Sequence, residues 1–198
     1  MEVKNFGLTE GINEVICVTE GKSDVGNINT APIGIIVGEN IYIRLFGKTH
    51  TLENLKNGSK LYANVCFDPL IFVISAFKDL SKEYFLDKFT LKCAYSVLIF
   101  EPISFEKKEN HIVCTLKFID GRIINPLNAR AFSRGFSAVI EATIIATRLK
   151  MININQISKK IEELGEIVKK CGGKRDKEAF SYILSVLRKN SINLDFQS

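Results

Sequence analysis

Near Pro126 the spacing of apolar residues changes period, and one kind of secondary structure cannot serve both sides of that change. Upstream, β-branched and aromatic residues come in short runs bounded by turn formers: Val15–Val18, Ile33–Val37, Ile41–Phe46, Leu61–Cys66, Leu91–Phe100 and Ile112–Ile119. Runs of this composition read as strands. Gly38-Glu39-Asn40 predicts a tight hairpin between the second and third, and Glu106–Asn110 joins the fifth and sixth. In the third run, Ile41, Ile43 and Leu45 share one face, with Tyr42, Arg44 and Phe46 on the other. Six strands of this kind, mostly antiparallel, predict a closed barrel rather than an α/β sheet. Two short helices interrupt them. One covers His50–Asn57, with Leu52 and Leu55 on one side; the other opens at Asp68-Pro69 and runs to about Leu80, apolar nearly all round and therefore buried.

Downstream of Pro126 the period is helical. Ala131–Lys150 predicts a long helix whose Arg134, Ser137, Glu141 and Arg148 form one narrow polar stripe. Ile154, Ile157, Ile161, Leu164, Val168 and Cys171 recur every three or four residues, and Gly172-Gly173 ends that helix. Asp176 is the expected cap of a third helix that buries Phe180, Ile183, Leu184 and Leu187. Charge divides at the same place. Residues up to Asn125 carry 14 basic and 15 acidic side chains, net −1, whereas 13 basic and 7 acidic residues follow, net +6. The two signals together place a domain boundary near Pro126.

Several function classes find no support. No apolar run approaches the roughly 18–20 residues of a membrane span, and Met1 to Gly11 has no apolar h-region of a secretory signal, so a cytoplasmic location is expected. The five cysteines are scattered with no C-x-x-C, and His50 and His111 are the only histidines, so neither a disulfide framework nor a structural metal site is expected. Neither G-x-G-x-x-G after a strand nor G-x-x-x-x-G-K-[ST] occurs. Nucleic-acid binding by the basic half is disfavoured, because its helices interleave acids with bases and offer no exposed aromatic platform.

Gly26–Asn64 holds the most chemistry. Gly26-Asn27-Ile28-Asn29-Thr30-Ala31-Pro32-Ile33-Gly34 is a polar loop entering a strand. A hairpin later comes Gly47-Lys48-Thr49-His50-Thr51-Leu52-Glu53-Asn54-Leu55, a loop with hydroxyls and a lysine that enters a short helix. Free N–H groups at such a helix start suit an anion, Thr49 and Thr51 can donate O–H bonds, and Lys48 supplies charge. A threonine in front of a helix is also an ordinary N-cap, and Pro32 an ordinary edge-strand proline. His50 reads as a helix-terminus residue rather than an acid–base catalyst, since the dipole there disfavours its charged form.

The order of strand, N-x-A-P-x-G loop, hairpin, (S/T)-x-T-x-x-N-L and a strand ending in Asn64-Val65 resembles the FMN-binding split barrel of flavin-reductase-like proteins. More closely, it resembles an archaeal group of uncharacterised FMN-binding proteins with a helical C-terminal extension. Asn128-x-Arg130-x-Phe132-x-Arg134, Ile140-Glu141-Ala142 and Thr147-Arg148-Leu149 extend that likeness over most of the chain. The resemblance implies an α+β protein: a six-stranded split β-barrel over residues 1–125, then a small α-helical domain over 126–198. It also implies a homodimer with FMN near the interface. Carried over residue by residue, Thr49, Thr51 and Asn54 fall where the family holds the FMN phosphate, with Lys48 and His50 beside them. Asn29, Thr30, Ala31, Pro32 and Ile33 fall where the family lines the isoalloxazine ring, and Arg44 and Phe46 are further candidate contacts.

The activity so implied is that of an FMN-dependent oxidoreductase of unknown substrate, taking electrons from NAD(P)H or a deazaflavin. The flavin carries the redox chemistry, so no catalytic acid or base is named. A non-enzymatic flavin store or sensor is the alternative, as is a split barrel that binds a deazaflavin instead. Haem is disfavoured because neither histidine is placed as an axial ligand. The apolar breadth of Leu70–Phe77 and Ala131–Lys150 also predicts a partner chain. Arg130, Arg134, Glu141 and Arg148 are expected to form an internal charge network rather than ligand contacts.

Overall fold

A computed structural model describes residues 2–24, 26–128, 133–149 and 154–189. The chain divides into two compact units, one of Met1–Phe67 with Lys78–Ala129, the other of Asp68–Phe77 with Arg130–Ser198.

The first unit is the barrel. Its strands are β1 (Gly11–Glu20), β2 (Ile28–Val37), β3 (Ile41–Leu45), β4 (Leu61–Cys66), β5 (Ala94–Lys107) and β6 (Ile112–Ile123). They close in the order β1-β2-β3-β6-β5-β4, antiparallel at every pairing. Both predicted hairpins are present. The alternation in β3 is as read: Ile43 and Leu45 enter the core with Val15, Cys17, Ile33, Ile35, Leu61, Ala63, Leu98 and Phe100, while Arg44 faces out. Burying these apolar side chains away from water is what holds the strands as a closed layer. β5 begins three residues later than expected, because Leu91 bridges Phe85 instead of entering the strand.

The closure is uneven. β2 pairs with β1 along its whole length, but with β3 only through Ile35, Ile36 and Val37. Among the described residues, β2 therefore has no strand partner on its β3 side from Ile28 to Gly34. At that end the chain leaves β3 and forms α1 (His50–Lys56), whose Leu52 and Leu55 join the barrel core.

The second unit contains α2 (Pro69–Phe77), α3 (Arg134–Thr147), α4 (Ile154–Cys171) and α5 (Lys174–Lys189). Val73, Val139, Ala142, Ile157, Ile161, Phe180 and Ile183 form its core. Sequence contiguity placed α2 in the 1–125 domain; in the structure its segment belongs to the helical unit. The physical reason is its apolar surface, since Val73 is fully buried in the helical core, with Leu70 and Phe77 packed against that core. Asp68 caps it as expected, accepting from the Leu70 and Ile71 N–H groups at 3.0 and 3.3 Å. The same carboxylate takes a two-pronged bond from Arg175 of α5, Nε to Oδ1 and Nη2 to Oδ2, each 3.1 Å.

Two further expectations change. α3 starts at Arg134, not Ala131, because Ser133 accepts the Phe136 N–H and caps it there. Asp176 sits inside the first turn of α5 and reaches back to the Gly173 N–H at 2.8 Å, rather than preceding the helix. Of the residues expected in an internal charge network, Arg134, Glu141 and Arg148 are exposed. Arg130 lies outside the described residues. α3 meets the turn between α4 and α5 at Gly135, where a Cβ would lie 2.5 Å from the Cα of Gly172. Among the described residues no helix is long and apolar enough to cross a membrane.

Candidate functional site

The barrel interior is apolar along most of its length and turns polar where α1 closes it. Thr19 ends the inward face of β1, and its pairing partner Asn29 begins the inward face of β2. Thr51 and Asn54 lie three residues apart on α1, on one face, and both are buried. These four side chains satisfy one another. Asn29 Oδ1 accepts from the Thr51 hydroxyl at 2.8 Å and from the Thr19 hydroxyl at 3.3 Å. Asn54 Nδ2 donates to Thr19 Oγ1 at 3.1 Å and to the Lys22 carbonyl at 2.9 Å, while its Oδ1 accepts the Lys22 N–H at 2.6 Å.

The turn after β1 is shaped to this amide. Gly21 has φ +132°, and a Cβ there would lie 2.5 Å from Asn54 Oδ1, so only glycine suits both the backbone angle and the space. A polar atom stranded here would cost about 1–3 kcal/mol. The closed set of bonds is therefore what permits a polar layer at the end of an apolar barrel.

Outside the barrel wall Asp79 anchors the start of β2. Its Oδ1 accepts from Asn29 Nδ2 at 2.9 Å and from the Thr30 N–H at 2.5 Å, and its Oδ2 accepts the Asp24 N–H at 2.6 Å. Thr30 Oγ1 in turn accepts the Leu80 N–H at 2.9 Å. Because the Thr30 N–H points to Asp79, the next backbone position directed the same way is Pro32, which has no N–H. The proline thus occupies a position where an edge strand would otherwise leave a donor unpaired. Ala31 packs against the barrel core and Ile33 lies within it.

The turn at Gly47–Thr49 leads from β3 into α1, with Lys48 and Thr49 exposed. Thr49 caps α1, its oxygen accepting the Leu52 N–H at 3.2 Å, which leaves its O–H available as a donor. His50 Nδ1 is 3.8 Å from Asp24 Oδ1. Together with Asp79 these two bring one ligand atom each within 4.8 Å of one another. Both Asp79 oxygens already accept backbone N–H groups, so that carboxylate holds the fold together at this point. α1 spans only seven residues, too short for its dipole to matter much, so attraction for an anion here must come from Lys48 and hydroxyl donors.

The structure thus separates the sequence-derived residues into two sets. Asn29, Thr51 and Asn54 are buried and linked through Thr19, and Thr30 is buried and bonded to Asp79 and the Leu80 N–H; Lys48, Thr49 and His50 remain accessible, and Ala31 and Pro32 lie part-buried on the edge strand. Arg44 lies apart on the outer face of β3, its guanidinium 5.8 Å over the Tyr42 ring, in an open groove of about 950 Å³ shared with Lys108, His111 and Thr115. Phe46 is exposed and packs on His111, ring centroids 5.4 Å apart. Asp79 was missed by sequence reasoning. A single acid after an apolar helix carries no periodic signal, and its role depends on residues about 50 positions away.

Comparison with known proteins fixes the family. The model of the protein of unknown function DUF447, N-terminal domain, matches residues 13–125, and the second DUF447 model matches residues 133–185. The chain belongs to the DUF447 family. The crystal structure of an FMN-bound DUF447 protein from Methanosarcina mazei is 34% identical, covers 94% of this chain and 100% of its own, and superposes with a TM-score of 0.83. Weaker matches include an FMN-binding protein from Thermus thermophilus with bound p-hydroxybenzaldehyde, at 12% identity over 65% of this chain and 80% of that one, TM-score 0.47. The styrene monooxygenase flavin reductase of Pseudomonas putida S12 matches at 10% identity over 56% and 79%, TM-score 0.44.

Proposed function

We propose that this DUF447 protein binds FMN through its barrel unit and serves as a flavin-dependent oxidoreductase. The observation that carries the reading is the FMN-bound relative, 34% identical across nearly the whole chain. The residues at the open edge of β2 are compatible with it. Ala31 and Pro32 offer a small, apolar wall without a competing N–H donor, and Ile33 and Asn29 fix the backbone of that wall from inside. Lys48, the free O–H of Thr49 and His50 are the groups for the phosphate. Thr51 and Asn54 act one step removed: their polar atoms are engaged inside the barrel, so they position the turn rather than contact the phosphate. Bound flavin would supply hydride or electron transfer, with NAD(P)H or a deazaflavin as donor, and the chain's part is to orient it and exclude water.

A homodimer with FMN near its interface belongs to the same proposal. Its support has moved, because α2 and α3 meet their apolar partners within one chain. On the barrel, Phe46, Ile103, Phe105, Ile119 and Ile123 are exposed large apolar side chains that a second chain could cover. Light scattering should give about twice the 22.3 kDa chain mass.

Titration of the apo-protein with FMN should quench flavin fluorescence at about one FMN per chain, and no binding at high micromolar FMN would end the flavin reading. The double change Lys48→Ala, Thr49→Ala should weaken FMN by about 2–5 kcal/mol, two bonds to a charged group, while riboflavin binding stays as it was. Equal losses for both flavins would remove the phosphate assignment. Oxidation of NADH or NADPH by the FMN-loaded protein distinguishes the oxidoreductase from a flavin store.

A further inference from the structure

Cys66 and Cys93 lie 27 residues apart in sequence, yet the Cys93 thiol donates to the Cys66 sulfur at 3.4 Å. The approach is built by the sheet. At the end of β4 the register with β5 slips, so Val65 faces Ser96 and Cys66 faces Ala94, with Tyr95 left over. This bulge sets Cys66 beside the residue that precedes β5, which is Cys93. The surroundings hold both ends in place. One residue before Val65, Asn64 accepts the Leu91 N–H at 2.9 Å and donates to the Phe89 carbonyl at 3.1 Å, and the Tyr62 and Phe89 rings stack 4.0 Å apart.

The two sulfurs differ in access. Cys66 is buried, whereas Cys93 is partly open to solvent. The other barrel cysteines, Cys17 and Cys114, are buried; desolvation pushes both thiols up, Cys114 to about 12, which keeps them from ionising. One reachable thiol backed by a second, shielded thiol is the arrangement that a two-cysteine oxidation requires.

We propose that Cys66 and Cys93 form a reversible disulfide when the protein meets a peroxide. Cys93 loses its thiol proton and attacks one peroxide oxygen; the S–O bond forms, the O–O bond breaks, and the departing hydroxide takes up a proton as water. Cys66 then attacks the Cys93 sulfur, the S–S bond forms, the S–O bond breaks and a second water leaves. Two thiols and one hydrogen peroxide become one disulfide and two waters. The sulfurs must close from 3.4 Å to about 2.05 Å, a move within reach of side-chain rotation. A small thiol reverses the step by two exchanges. The bond would tie the end of β4 to the start of β5, the two points between which the chain visits the helical unit and returns.

The test uses the full-length protein, treated with hydrogen peroxide, then alkylated under denaturing conditions and mapped by mass spectrometry. The five thiols of the untreated chain should fall to three, with one cross-linked peptide pair holding Cys66 and Cys93, and dithiothreitol should restore all five. The unfolding midpoint of the oxidised protein should rise by roughly 5–10 °C through loop closure in the unfolded chain. Cys66→Ser should leave Cys93 as a sulfenic acid that dimedone labels, with no rise in midpoint. Five remaining thiols, a sulfinic acid without a cross-link, or a bond between any other pair in the wild-type protein would overturn the proposal.

Discussion

Asn29 joins the two halves of the polar layer, and replacing it by alanine removes three bonds at once. Its Oδ1 serves the Thr51 and Thr19 hydroxyls, and its Nδ2 serves the Asp79 carboxylate. Two neutral bonds are worth about 1 kcal/mol each and the charge-assisted one about 1.5–3. Asp79 keeps its bonds from the Thr30 and Asp24 N–H groups, so it is weakened rather than orphaned. The Thr51 hydroxyl is left buried without that acceptor. The total is about 3–5 kcal/mol, which in a chain of this size lowers the unfolding midpoint by roughly 6–20 °C. Thermal and urea unfolding of the flavin-free protein would measure it. Asn29→Asp is the sharper companion. It faces the Asp79 carboxylate with a second one at the 2.9 Å contact, so it should be worse than alanine at neutral pH. It should recover at acid pH, where one carboxyl holds a proton and donates. An alanine variant that loses less than about 1 kcal/mol would refute the idea that this layer holds the barrel end together.

Other outcomes can be checked alongside. Gly135→Ala forces a Cβ against the Gly172 backbone and should destabilise the helical unit by about 1–3 kcal/mol, seen as an earlier loss of helical circular dichroism. Arg175→Ala leaves the mostly buried Asp68 carboxylate with its two capping N–H bonds only, a loss of about 1–2 kcal/mol that Arg175→Lys restores in part, since one ammonium cannot reproduce the fork. For Asp87, burial alone would raise the carboxyl, but the Phe89 N–H and Arg122 outweigh it and hold it below the usual range. A carboxyl depressed in the folded state contributes stability above its unfolded value near pH 4 and loses it as the pH falls through the folded value. Arg122→Ala should therefore lower the unfolding midpoint slightly at pH 7, with the difference from wild type shrinking as the pH falls below the unfolded carboxyl range; a difference that stays constant down to strong acid would contradict the pairing.

The strands were legible because alternation in a half-buried strand leaves a direct trace in sequence, as in β3, where Ile43 and Leu45 point in and Arg44 points out. Helix starts were legible where a cap stands next to the apolar run, as at Asp68, and misplaced where the cap lies inside a longer apolar stretch, as at Ser133. Partners of α2 were not legible. An apolar surface says that a helix is buried but not which core receives it, and its neighbours in sequence are strands. The site was legible in outline only. Thr51 and Asn54 were placed at the phosphate by the family resemblance, Thr51 also as a hydroxyl donor at a helix start, and a polar face on a short helix serves a ligand or its own barrel equally well. Only the third dimension assigns them to Thr19 and Asn29. Cys66 and Cys93 met no spacing rule, since a bulge and a folded-back strand bring them together.

The loan of Asp68–Phe77 to the helical unit bears on how the protein can be made and divided. On the ribosome α2 emerges before β5 and β6, and its helical partners emerge last of all. Its apolar surface must wait through the synthesis of more than half the chain, a period in which a chaperone or premature collapse competes for it. Nor can the molecule be cut at one point. A fragment starting after residue 129 lacks a helix whose valine its core is built around, and a fragment ending there carries that helix with nothing to cover it. Recombination that swaps or deletes the C-terminal part alone is penalised for the same reason, so the two units are expected to travel together as one inheritable piece.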